Sequence, residues 1–338
     1  MKSTYKAIQY PVYQTNIIKS MLSLTLVDKG LPKPVKNQIL IRMEAAQANP
    51  SDIAFLQGGY NVKKTLPCVP GFEGCGIVSS VGEGLVESDW IGKRVVCFTQ
   101  HDKDGTWAEY FLADVDEVIQ VDPRLRPEQA AGFFINPFTA WGLTEIALQR
   151  QSPCIVINAA GGQVAMWLLA LAKKHRIKTI GIVRKPETVD ALQNEGFDQL
   201  LASSGDDFQE KLSKLVVEMH ATTAFDAVAG EMTGQLVNCL PYDSEVVVYG
   251  GLSGKPVSGI DFMSLIFRNA MITGFNLNDW LVLNETGKKA EIGTMLTEMI
   301  LSGDIQPRVQ SEVDLADFMK GLRSYLSSMS AGKVLIRF

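Results

Sequence analysis

The apolar residues in the second half of the chain form short runs that alternate with helical patterns. The sequence predicts strands in this region at Cys154–Asn158, Thr179–Val183, Gln199–Ala202, Ala224–Val228, Glu245–Tyr249 and Met271–Phe275. Between the first five strands it predicts helices at Gln163–His175, Pro186–Glu195, Phe208–His220 and Thr233–Leu240. Such alternation is typical of a doubly wound, Rossmann-type α/β fold with a six-stranded parallel sheet.

The first part of the chain has a different pattern, in which short β segments are separated by glycine and proline turns. Examples are Gln38–Met43, Gly76–Val81 and Arg94–Phe98. Regularly spaced short strands of this kind predict a barrel-like β domain.

The end of the chain does not continue the alternation of strands and helices. Its predicted elements are two helices and a last strand, at Ala290–Leu301, Leu315–Leu326 and Lys333–Phe338. We expect them to return to the first domain. The prediction is therefore a discontinuous domain of residues 1–125 and 276–338 and a nucleotide-binding domain of residues 126–275.

Length and charge narrow the class of protein. The chain has 338 residues, which suits two domains, and it is 46% apolar and 20% charged. Its net charge of −5 argues against a nucleic-acid partner, and no basic block indicates an anionic membrane surface. No apolar run reaches the roughly 18 residues of a membrane span, and the N-terminus has no apolar signal core. We therefore expect a cytoplasmic protein.

The cysteines and histidines do not form a metal-binding pattern. The five cysteines are scattered without a CxxC pair, which predicts reduced thiols. Of the three histidines, His101 is expected in a turn and His175 near a helix end. No metal site is predicted from these residues.

A glycine turn and a cation pair indicate the cofactor. The turn at Gly161–Gly162 follows the first predicted strand, and Arg184–Lys185 follow the second. In a βαβ unit that binds NAD, an acidic residue usually holds the ribose 2′-OH at this second position. A cationic pair suits a 2′-phosphate, which Arg can bind through two hydrogen bonds. The prediction is NADPH; the alternative is a solvated basic loop.

Three segments of the first domain carry a resemblance to a known family: ANPSD at 48–52, LQGGY at 56–60 and PGFEG at 70–74. With NPFTAW at 136–141, YGGL at 249–252 and LIFR at 265–268, they resemble the medium-chain dehydrogenase/reductase superfamily. The similarity is to its zinc-free branch of quinone oxidoreductases and 2-enoyl thioester reductases. It implies a GroES-like catalytic domain beside the Rossmann domain, and a homodimer formed through the last strand of the nucleotide-binding sheet near Met271–Phe275.

The zinc branch of this superfamily has a cysteine ligand where this chain has Asn49 and a histidine ligand where it has Phe72. Glu73 remains, but one carboxylate cannot form a three-ligand catalytic zinc site. Reduction of a simple carbonyl needs a Lewis acid to stabilise the alkoxide. The resemblance therefore implies hydride transfer to a quinone or an α,β-unsaturated carbonyl, which delocalises its own charge.

Tyr60 and Asn49 are the candidate catalytic residues. The resemblance places Tyr60 beside the nicotinamide, where a neutral phenol can donate to the substrate oxygen. The alternative is a half-buried loop tyrosine. Asn49 either assists at the same oxygen or caps the helical turn that follows it.

The resemblance also implies a set of cofactor-binding residues: Asn136, Thr139, Gly161, Gly162, Gln163, Val164, Arg184, Lys185, Tyr249, Gly250, Gly251, Phe275, Asn276 and Lys333. Tyr249–Gly251 has an ordinary strand-end turn as its alternative, and Lys333 a solvated lysine. Two positions depart from the family pattern. Gln163 stands where a glycine is expected, unless the turn shifts to use Gly162. Asn276 replaces a tryptophan of enoyl reductases, which makes that pocket more open or polar.

These observations predict a zinc-independent, NADPH-dependent oxidoreductase that acts on a quinone. One alternative is a 2-enoyl thioester reductase, favoured by the QGGY segment and disfavoured by Asn276. A second alternative is an NADPH-binding sensor or structural protein with little turnover, supported by Gln163.

Overall fold

The computed structural model describes residues 3–284, 286–329 and 331–338. Its contacts divide the chain into two compact units. Unit 1 comprises Met1–Ile135 and Asn284–Phe338, and unit 2 comprises Asn136–Leu283.

The strands run in chain order as follows: β1 (Thr4–Gln9), β2 (Thr25–Gly30), β3 (Gln38–Gln47), β4 (Glu73–Val81), β5 (Arg94–Phe98), β6 (Tyr110–Asp114), β7 (Val118–Gln120), β8 (Cys154–Asn158), β9 (Lys178–Val183), β10 (Gln199–Ala202), β11 (Ala221–Asp226), β12 (Glu245–Val248), β13 (Met271–Gly274), β14 (Val309–Asp314) and β15 (Lys333–Arg337).

The α-helices are α1 (Ile17–Ser23), α2 (Pro50–Leu56), α3 (Glu87–Trp90), α4 (Pro127–Ala130), α5 (Ile135–Gln149), α6 (Gln163–His175), α7 (Pro186–Leu192), α8 (Phe208–Glu218), α9 (Glu231–Cys239), α10 (Phe262–Arg268), α11 (Leu277–Leu283), α12 (Thr286–Leu301) and α13 (Phe318–Ser327). Short 3₁₀ helices lie at Val115–Glu117 and Leu315–Asp317.

Unit 2 contains a six-stranded sheet in the order β10-β9-β8-β11-β12-β13, and all of its strand pairs are parallel. The connection after β8 leads to one side of the sheet, and the connection after β10 crosses to the other. The strand order therefore reverses between β8 and β11, and ligands of such sheets bind at the carboxyl ends of the strands at this point.

The helices of unit 2 start and stop where the sequence provides the signals. Gly162 precedes the first residue of α6, and Lys173, Lys174 and His175 occupy its last turn, where cations offset the helix dipole. Pro186 opens α7, where its missing N–H leaves no hydrogen bond unmade. The core between α8, α9 and the sheet is made by buried aliphatic side chains such as Val156, Leu212 and Leu236.

Unit 1 is built on a seven-stranded mixed sheet, ordered β14-β15-β3-β4-β5-β7, in which β6 also pairs with β3. The last strand, β15, is antiparallel to β3 and places Ile336 opposite Ala46. β1 and β2 form a separate antiparallel pair. The C-terminal segment thus completes the sheet that begins in the first fifty residues.

The predicted α/β class with a six-stranded parallel sheet is confirmed. Three of the predicted parallel strands run past the observed ends: β11 ends at Asp226, β12 at Val248 and β13 at Gly274. Hydrogen bonds to Asp226, from Val228 N–H to its side chain and from Tyr249 N–H to its carbonyl oxygen, fix the chain where β11 and β12 end. The boundaries between the two units lie at Ile135 and Asn284, beyond the predicted boundaries. Ile135 belongs to unit 1, where its main-chain N–H donates to Glu73. Among the described residues, no helix is long and apolar enough to cross a bilayer.

Candidate active site

The first turn of α2 is closed by a buried carboxylate. Asn49 precedes the helix in an extended conformation, and Pro50 is its first residue. The Asp52 side chain accepts from Asn49 N–H at 2.7 Å and from Phe72 N–H at 3.0 Å. Asp52 therefore ties the start of α2 to the residue before β4.

The Asn49 side chain joins two elements that are distant in sequence. Its Nδ2 donates to Glu73 Oε1 at 2.6 Å, and its Oδ1 accepts from Lys333 Nζ at 2.7 Å. Glu73 is the first residue of β4 and Lys333 the first of β15. All three side chains are buried. We call Asn49, Glu73 and Lys333 the buried triad.

Glu73 is held by further donors in unit 1. Gln47 Nε2 donates to it at 2.6 Å, and the N–H groups of Phe134 and Ile135 donate at 3.1 and 2.8 Å. Burial raises the pKa of Glu73, and these hydrogen bonds to the carboxylate act against that rise. The geometry thus favours an ionised Glu73, each of whose oxygens accepts two hydrogen bonds.

The charges around the triad offset one another. Burial lowers the pKa of Lys333 to about 8, while Glu73 and Asp52 favour its protonated form. Burial raises the pKa of Asp52 to about 7, with a further contribution from Glu73. One ammonium group therefore lies among two carboxyl groups, away from water.

Tyr60 lies in the loop after α2. Gln100 Nε2 donates to its Oη at 3.2 Å, and its ring packs against Phe72 with centroids 5.7 Å apart. Burial raises the pKa of the phenol, so Tyr60 keeps its proton at neutral pH. Gly58, with φ of +69°, allows the sharp turn that leads to it.

The donor set of the triad does not suit zinc. Structural and catalytic zinc sites use thiolate, imidazole and carboxylate ligands, whereas this site offers an amide, one carboxylate and an ammonium. The Lys333 ammonium is bound to Asn49 and favoured by Glu73, so the position is already supplied with positive charge.

A second group of possible ligands lies elsewhere in unit 1. Ligand atoms of His101, Asp114 and Glu117 lie within 4.8 Å of one another. Lys103 Nζ lies 2.9 Å from Asp114 and also bonds Glu117, one oxygen of which lies 3.2 Å from His101 Nδ1. A lysine therefore neutralises these carboxylates, and they carry no metal assignment.

The glycine turn of unit 2 leaves space at the start of α6. A Cβ added to Gly161 would meet no atom closer than 3.9 Å. Gly162 is the residue before the helix and provides no side-chain cap, so its side chain satisfies none of the first N–H groups of α6. Gln163 is the first helical residue, followed by the half-buried Val164, so Gly162 ends the turn. This arrangement fits a phosphate group.

Arg184 and Lys185 follow β9 directly, and both are exposed. Lys185 is the residue before α7. In the part of the chain that the structure describes, neither side chain is paired with a carboxylate. Their charges are therefore available to a 2′-phosphate, and the residues of unit 2 fit NADPH.

Polar residues that the sequence analysis did not select organise the point where the strand order reverses. Asn158, at the end of β8, donates to Asp226 Oδ1 at 2.5 Å and accepts from Ala227 N–H at 2.7 Å. Asp226 ends β11 and also accepts from Thr233 Oγ1 at 2.5 Å. The available signal was a polar residue closing each of two apolar strands, CIVIN and TTAFD.

The other predicted cofactor residues of unit 2 lie on several elements. Asn136 and Thr139 are buried in α5. Tyr249 follows β12, and its N–H donates to Asp226 O at 2.9 Å. Gly250 packs on the backbone of Ala227, where an added Cβ would lie 2.8 Å from the carbonyl oxygen, whereas Gly251 has open space.

Phe275 and Asn276 line a surface pocket of about 490 Å³ in unit 2. The Asn276 side chain accepts from Asn278 N–H at 2.9 Å and so caps α11. Trp280, one turn later, also lines the pocket and donates to Glu145 at 3.1 Å. An aromatic wall is thus present one helical turn away from Asn276.

Lys333 and Asn49 are brought together by the structure, with Lys333 hydrogen-bonded inside the fold and not solvated. Around this pair lie three further side chains, those of Asp52, Glu73 and Gln47. The sequence identifies Glu73 only as a remaining zinc-ligand position, because nothing in it pairs Glu73 with residue 333.

Comparisons with known proteins identify the family of this chain. Residues 35–123 match the family model described as the alcohol dehydrogenase GroES-like domain, and residues 164–291 match the one described as zinc-binding dehydrogenase. The second match lies mostly in unit 2, which does not contain Asn49, Phe72 or Glu73.

Two mitochondrial enoyl-[acyl-carrier-protein] reductases are among the similar proteins. The one from Xenopus tropicalis is 28% identical over 93% of this chain and 91% of its own length. The one from Caenorhabditis elegans is 29% identical over 90% and 87%. Among solved structures, a protein from Mesorhizobium loti assigned as an NADPH:quinone reductase has a TM-score of 0.92 and 26% identity, with 100% of this chain and 99% of that chain covered.

Proposed function

This chain belongs to the medium-chain dehydrogenase/reductase superfamily, and we propose that it is a zinc-independent, NADPH-dependent oxidoreductase that reduces a quinone or another conjugated carbonyl compound. The observation that carries the proposal is the buried triad. By resemblance, Asn49 and Phe72 stand where the zinc-dependent members have a cysteine and a histidine ligand, and the Asn49 amide is bonded to the Glu73 carboxylate and the Lys333 ammonium.

The cofactor is assigned to unit 2. Arg184 and Lys185 hold the 2′-phosphate, and the start of α6 after Gly161 and Gly162 holds the pyrophosphate. Other residues of unit 2 complete the proposed cofactor site: Gln163, Val164, Tyr249–Gly251, Phe275 and Asn276. Bound there, NADPH supplies a hydride to the acceptor.

The acceptor must stabilise its own negative charge. A simple ketone that gains a hydride becomes an alkoxide, which needs a strong electrophile beside it. A quinone or an enone spreads the same charge by resonance, so a neutral donor suffices. This requirement matches a centre that offers a phenol and an amide.

We assign the donor role to Tyr60. Its raised pKa keeps the phenol protonated, and Gln100 fixes the Oη position. Asn49 is held by Glu73 and Lys333 at both ends of its amide, which fixes the orientation of its side chain. By resemblance, Asn136 and Thr139 are proposed near the nicotinamide end of the cofactor, and Lys333 is proposed to reach the cofactor.

A second candidate is reduction of a 2-enoyl thioester. The QGGY segment that carries Tyr60 favours it, as do the enoyl reductases among the similar proteins. Asn276, which caps α11 where those enzymes have a tryptophan, disfavours it.

An acceptor panel tests the proposal. Oxidation of NADPH is followed by absorbance with 1,4-benzoquinone and with crotonyl-CoA, and faster turnover with the quinone is expected. Preference for crotonyl-CoA would favour the second candidate. Binding of NADPH, measured by fluorescence, without turnover on either compound would favour a sensor and overturn the enzymatic proposal.

We further propose a cytoplasmic homodimer. All five cysteines are free and buried, which suits a reducing compartment. The proposed dimer surface is β13, an edge strand, with the exposed apolar side chains of α10.

A further inference from the structure

The carboxylate of Asp226 lies at the end of β11, where the strand order of the parallel sheet reverses, and it is fully buried. Its Oδ1 accepts from Asn158 Nδ2 at 2.5 Å and from the N–H groups of Val228 and Ala229 at 2.8 and 3.0 Å. Its Oδ2 accepts from Thr233 Oγ1 at 2.5 Å. We call Asn158, Asp226 and Thr233 the carboxylate bridge.

The carboxylate bridge adjoins two alanines whose backbone is left-handed. Ala159 follows Asn158 with φ of +47°, and Ala229, whose N–H donates to Asp226, has φ of +59°. A residue with a Cβ is strained in this region, and such strain persists only where the surrounding structure imposes it. The bridge therefore joins the two places where the chain leaves β8 and β11 along a strained path.

The loop after β11 (residues 227–230) and the loop after β12 (residues 249–254) are joined by main-chain hydrogen bonds. Ser253 N–H donates to Val228 O at 2.9 Å, and the Asp226 carbonyl oxygen accepts from the first two N–H groups of the second loop. The Asp226 side chain binds two N–H groups of the first loop. One residue thus sets the position of both loops.

The order of the strands determines which part of NADPH would meet these loops. In the proposed site, Arg184 after β9 holds the 2′-phosphate, and the start of α6 after β8 holds the pyrophosphate. β11 and β12 are the next two strands in the same direction across the sheet. The remaining half of the cofactor, which carries the nicotinamide, therefore belongs to the loops after β11 and β12.

We propose that Asp226 is a positioning residue that preorganises these two loops for the nicotinamide half of NADPH. This inference rests on the cofactor site of the proposed function. Asp226 acts through the loops, because its side chain is buried and its oxygens are occupied by donors of the protein. Loops that already have the binding conformation do not lose affinity to their own ordering when the cofactor binds.

The test compares two ligands: NADPH, and adenosine 2′,5′-bisphosphate, which is the half of NADPH without the nicotinamide. Asp226→Ala removes the acceptor from all the donors of the bridge. Asp226→Asn is the conservative variant, because its amide oxygen can replace Oδ1 and its NH₂ group can donate to the Thr233 hydroxyl. Fluorescence titration gives the Kd of NADPH, and calorimetry gives that of the bisphosphate.

Asp198→Ala is the matched control. Asp198 also joins two strands through its carboxylate, which accepts from Thr179 N–H at 2.8 Å, but it precedes β10 and so lies at the opposite end of the parallel sheet. Urea unfolding checks that each variant is folded. Asn158→Ala carries the same comparison where Asp226→Ala does not fold, since it removes a donor to Oδ1 and the acceptor of Ala227 N–H.

Asp226→Ala is expected to raise the Kd of NADPH by about 10- to 100-fold, which corresponds to loops that keep the binding conformation in about 1–10% of the molecules. The Kd of the bisphosphate stays within about 2-fold, because its contacts lie on other elements. Asp226→Asn recovers most of the affinity for NADPH, and Asp198→Ala binds both ligands as the wild type does.

Three results overturn the inference: an unchanged Kd of NADPH in Asp226→Ala, an equal loss of affinity for both ligands, or an Asp226→Asn variant as weak as Asp226→Ala. The binding measurements need no acceptor, so a protein that shows the expected difference between the ligands but turns over no acceptor contradicts only the proposed reaction. An equal loss for both ligands in a protein that reduces quinones contradicts only the role of Asp226. A wild-type protein that binds neither ligand contradicts both.

Discussion

Lys333 Nζ donates a 2.7 Å hydrogen bond to Asn49 Oδ1, which connects the first residue of the last strand to the residue before α2. The two residues are 284 positions apart in sequence. Because the carboxylate of Glu73 holds the other end of the same amide, the three side chains fix one another's rotamers. Through this contact, the last strand, β15, contributes a side chain to the buried triad of unit 1.

We expect Asn49 and Lys333 to be energetically coupled. Asn49→Ala leaves a buried ammonium without its main acceptor, and Lys333→Met leaves the Glu73 carboxylate without a nearby cation. Each single change is expected to lower the free energy of unfolding by about 2–4 kcal/mol. The double variant should lose less than the sum, with a coupling energy of about 1–3 kcal/mol measured by urea unfolding.

The matched control for this cycle is Lys29→Met with Asn49→Ala, because Lys29 is paired with Asp104, outside the buried triad. That pair should be additive. Additivity between Asn49 and Lys333 themselves would contradict a working hydrogen bond between them.

The pKa of Asp52 predicts a pH-dependent effect of Asp52→Asn. Burial raises the pKa of the folded-state carboxyl to about 7 from its usual 3.8, so the folded protein binds a proton that the unfolded chain has released between these values. Asp52 therefore contributes stability below about pH 4 that is lost as the pH rises to about 7. The free energy of unfolding of the variant, relative to wild type, should rise on the order of 2–4 kcal/mol across this window.

At low pH the variant is expected to be the less stable protein, since an amide nitrogen cannot accept from Asn49 and Phe72 N–H. Urea unfolding at about pH 4.5 and about pH 7.5 measures the change. A stability difference that is the same at both pH values would show that Asp52 titrates at an ordinary pKa.

Tyr60→Phe is expected to lower kcat by about 100-fold while the Kd for NADPH stays unchanged. The phenol donates to the oxygen that gains charge, and the phenyl ring keeps the packing on Phe72. Steady-state turnover with 1,4-benzoquinone and fluorescence titration of NADPH give the two values. Tyr5→Phe, a change at a buried tyrosine that packs on Tyr110, serves as the control and should retain activity. Wild-type turnover in Tyr60→Phe would remove this residue from the reaction.

The parallel sheet was predictable because its strands are buried on both faces and read as continuous apolar runs, such as the CIVIN of β8. Helix starts were equally visible where Pro186 and Gly162 mark them. β14 was missed because VQSEVD is polar and half-exposed, and its pairing with β15 is a long-range event that local pattern does not encode. The same holds for the site. Asn49 and Tyr60 lie in recognisable segments, whereas the hydrogen bond from Lys333 to Asn49 depends on tertiary packing.

Arg184→Ala is expected to raise the Kd for NADPH by about 10- to 100-fold and to leave the Kd for NADH unchanged. The guanidinium follows β9 without a carboxylate partner among the described residues, so its loss removes only a contact to the 2′-phosphate. Lys178→Ala is the control, because Lys178 is an exposed cation at the opposite end of the same strand. An equal loss of affinity for NADPH and NADH would show that Arg184 does not read the 2′-phosphate.

The proposed dimer predicts that Ile266→Glu produces a monomer. Ile266 is 64% exposed on α10, beside the similarly exposed Phe262 and Phe267, and β13 offers an unpaired sheet edge in the same unit. In the variant, burial of this cluster against a second copy would also bury the introduced carboxylate at position 266 without a partner, at a cost of several kcal/mol for each subunit.

Light scattering after size-exclusion chromatography should give the dimer mass for the wild type and the monomer mass for the variant. Val217→Glu, at a valine that is 60% exposed on α8, adds the same charge outside this surface and should remain dimeric. A wild-type protein that elutes as a monomer, or a dimer that survives Ile266→Glu, would place the subunit contact elsewhere or remove it.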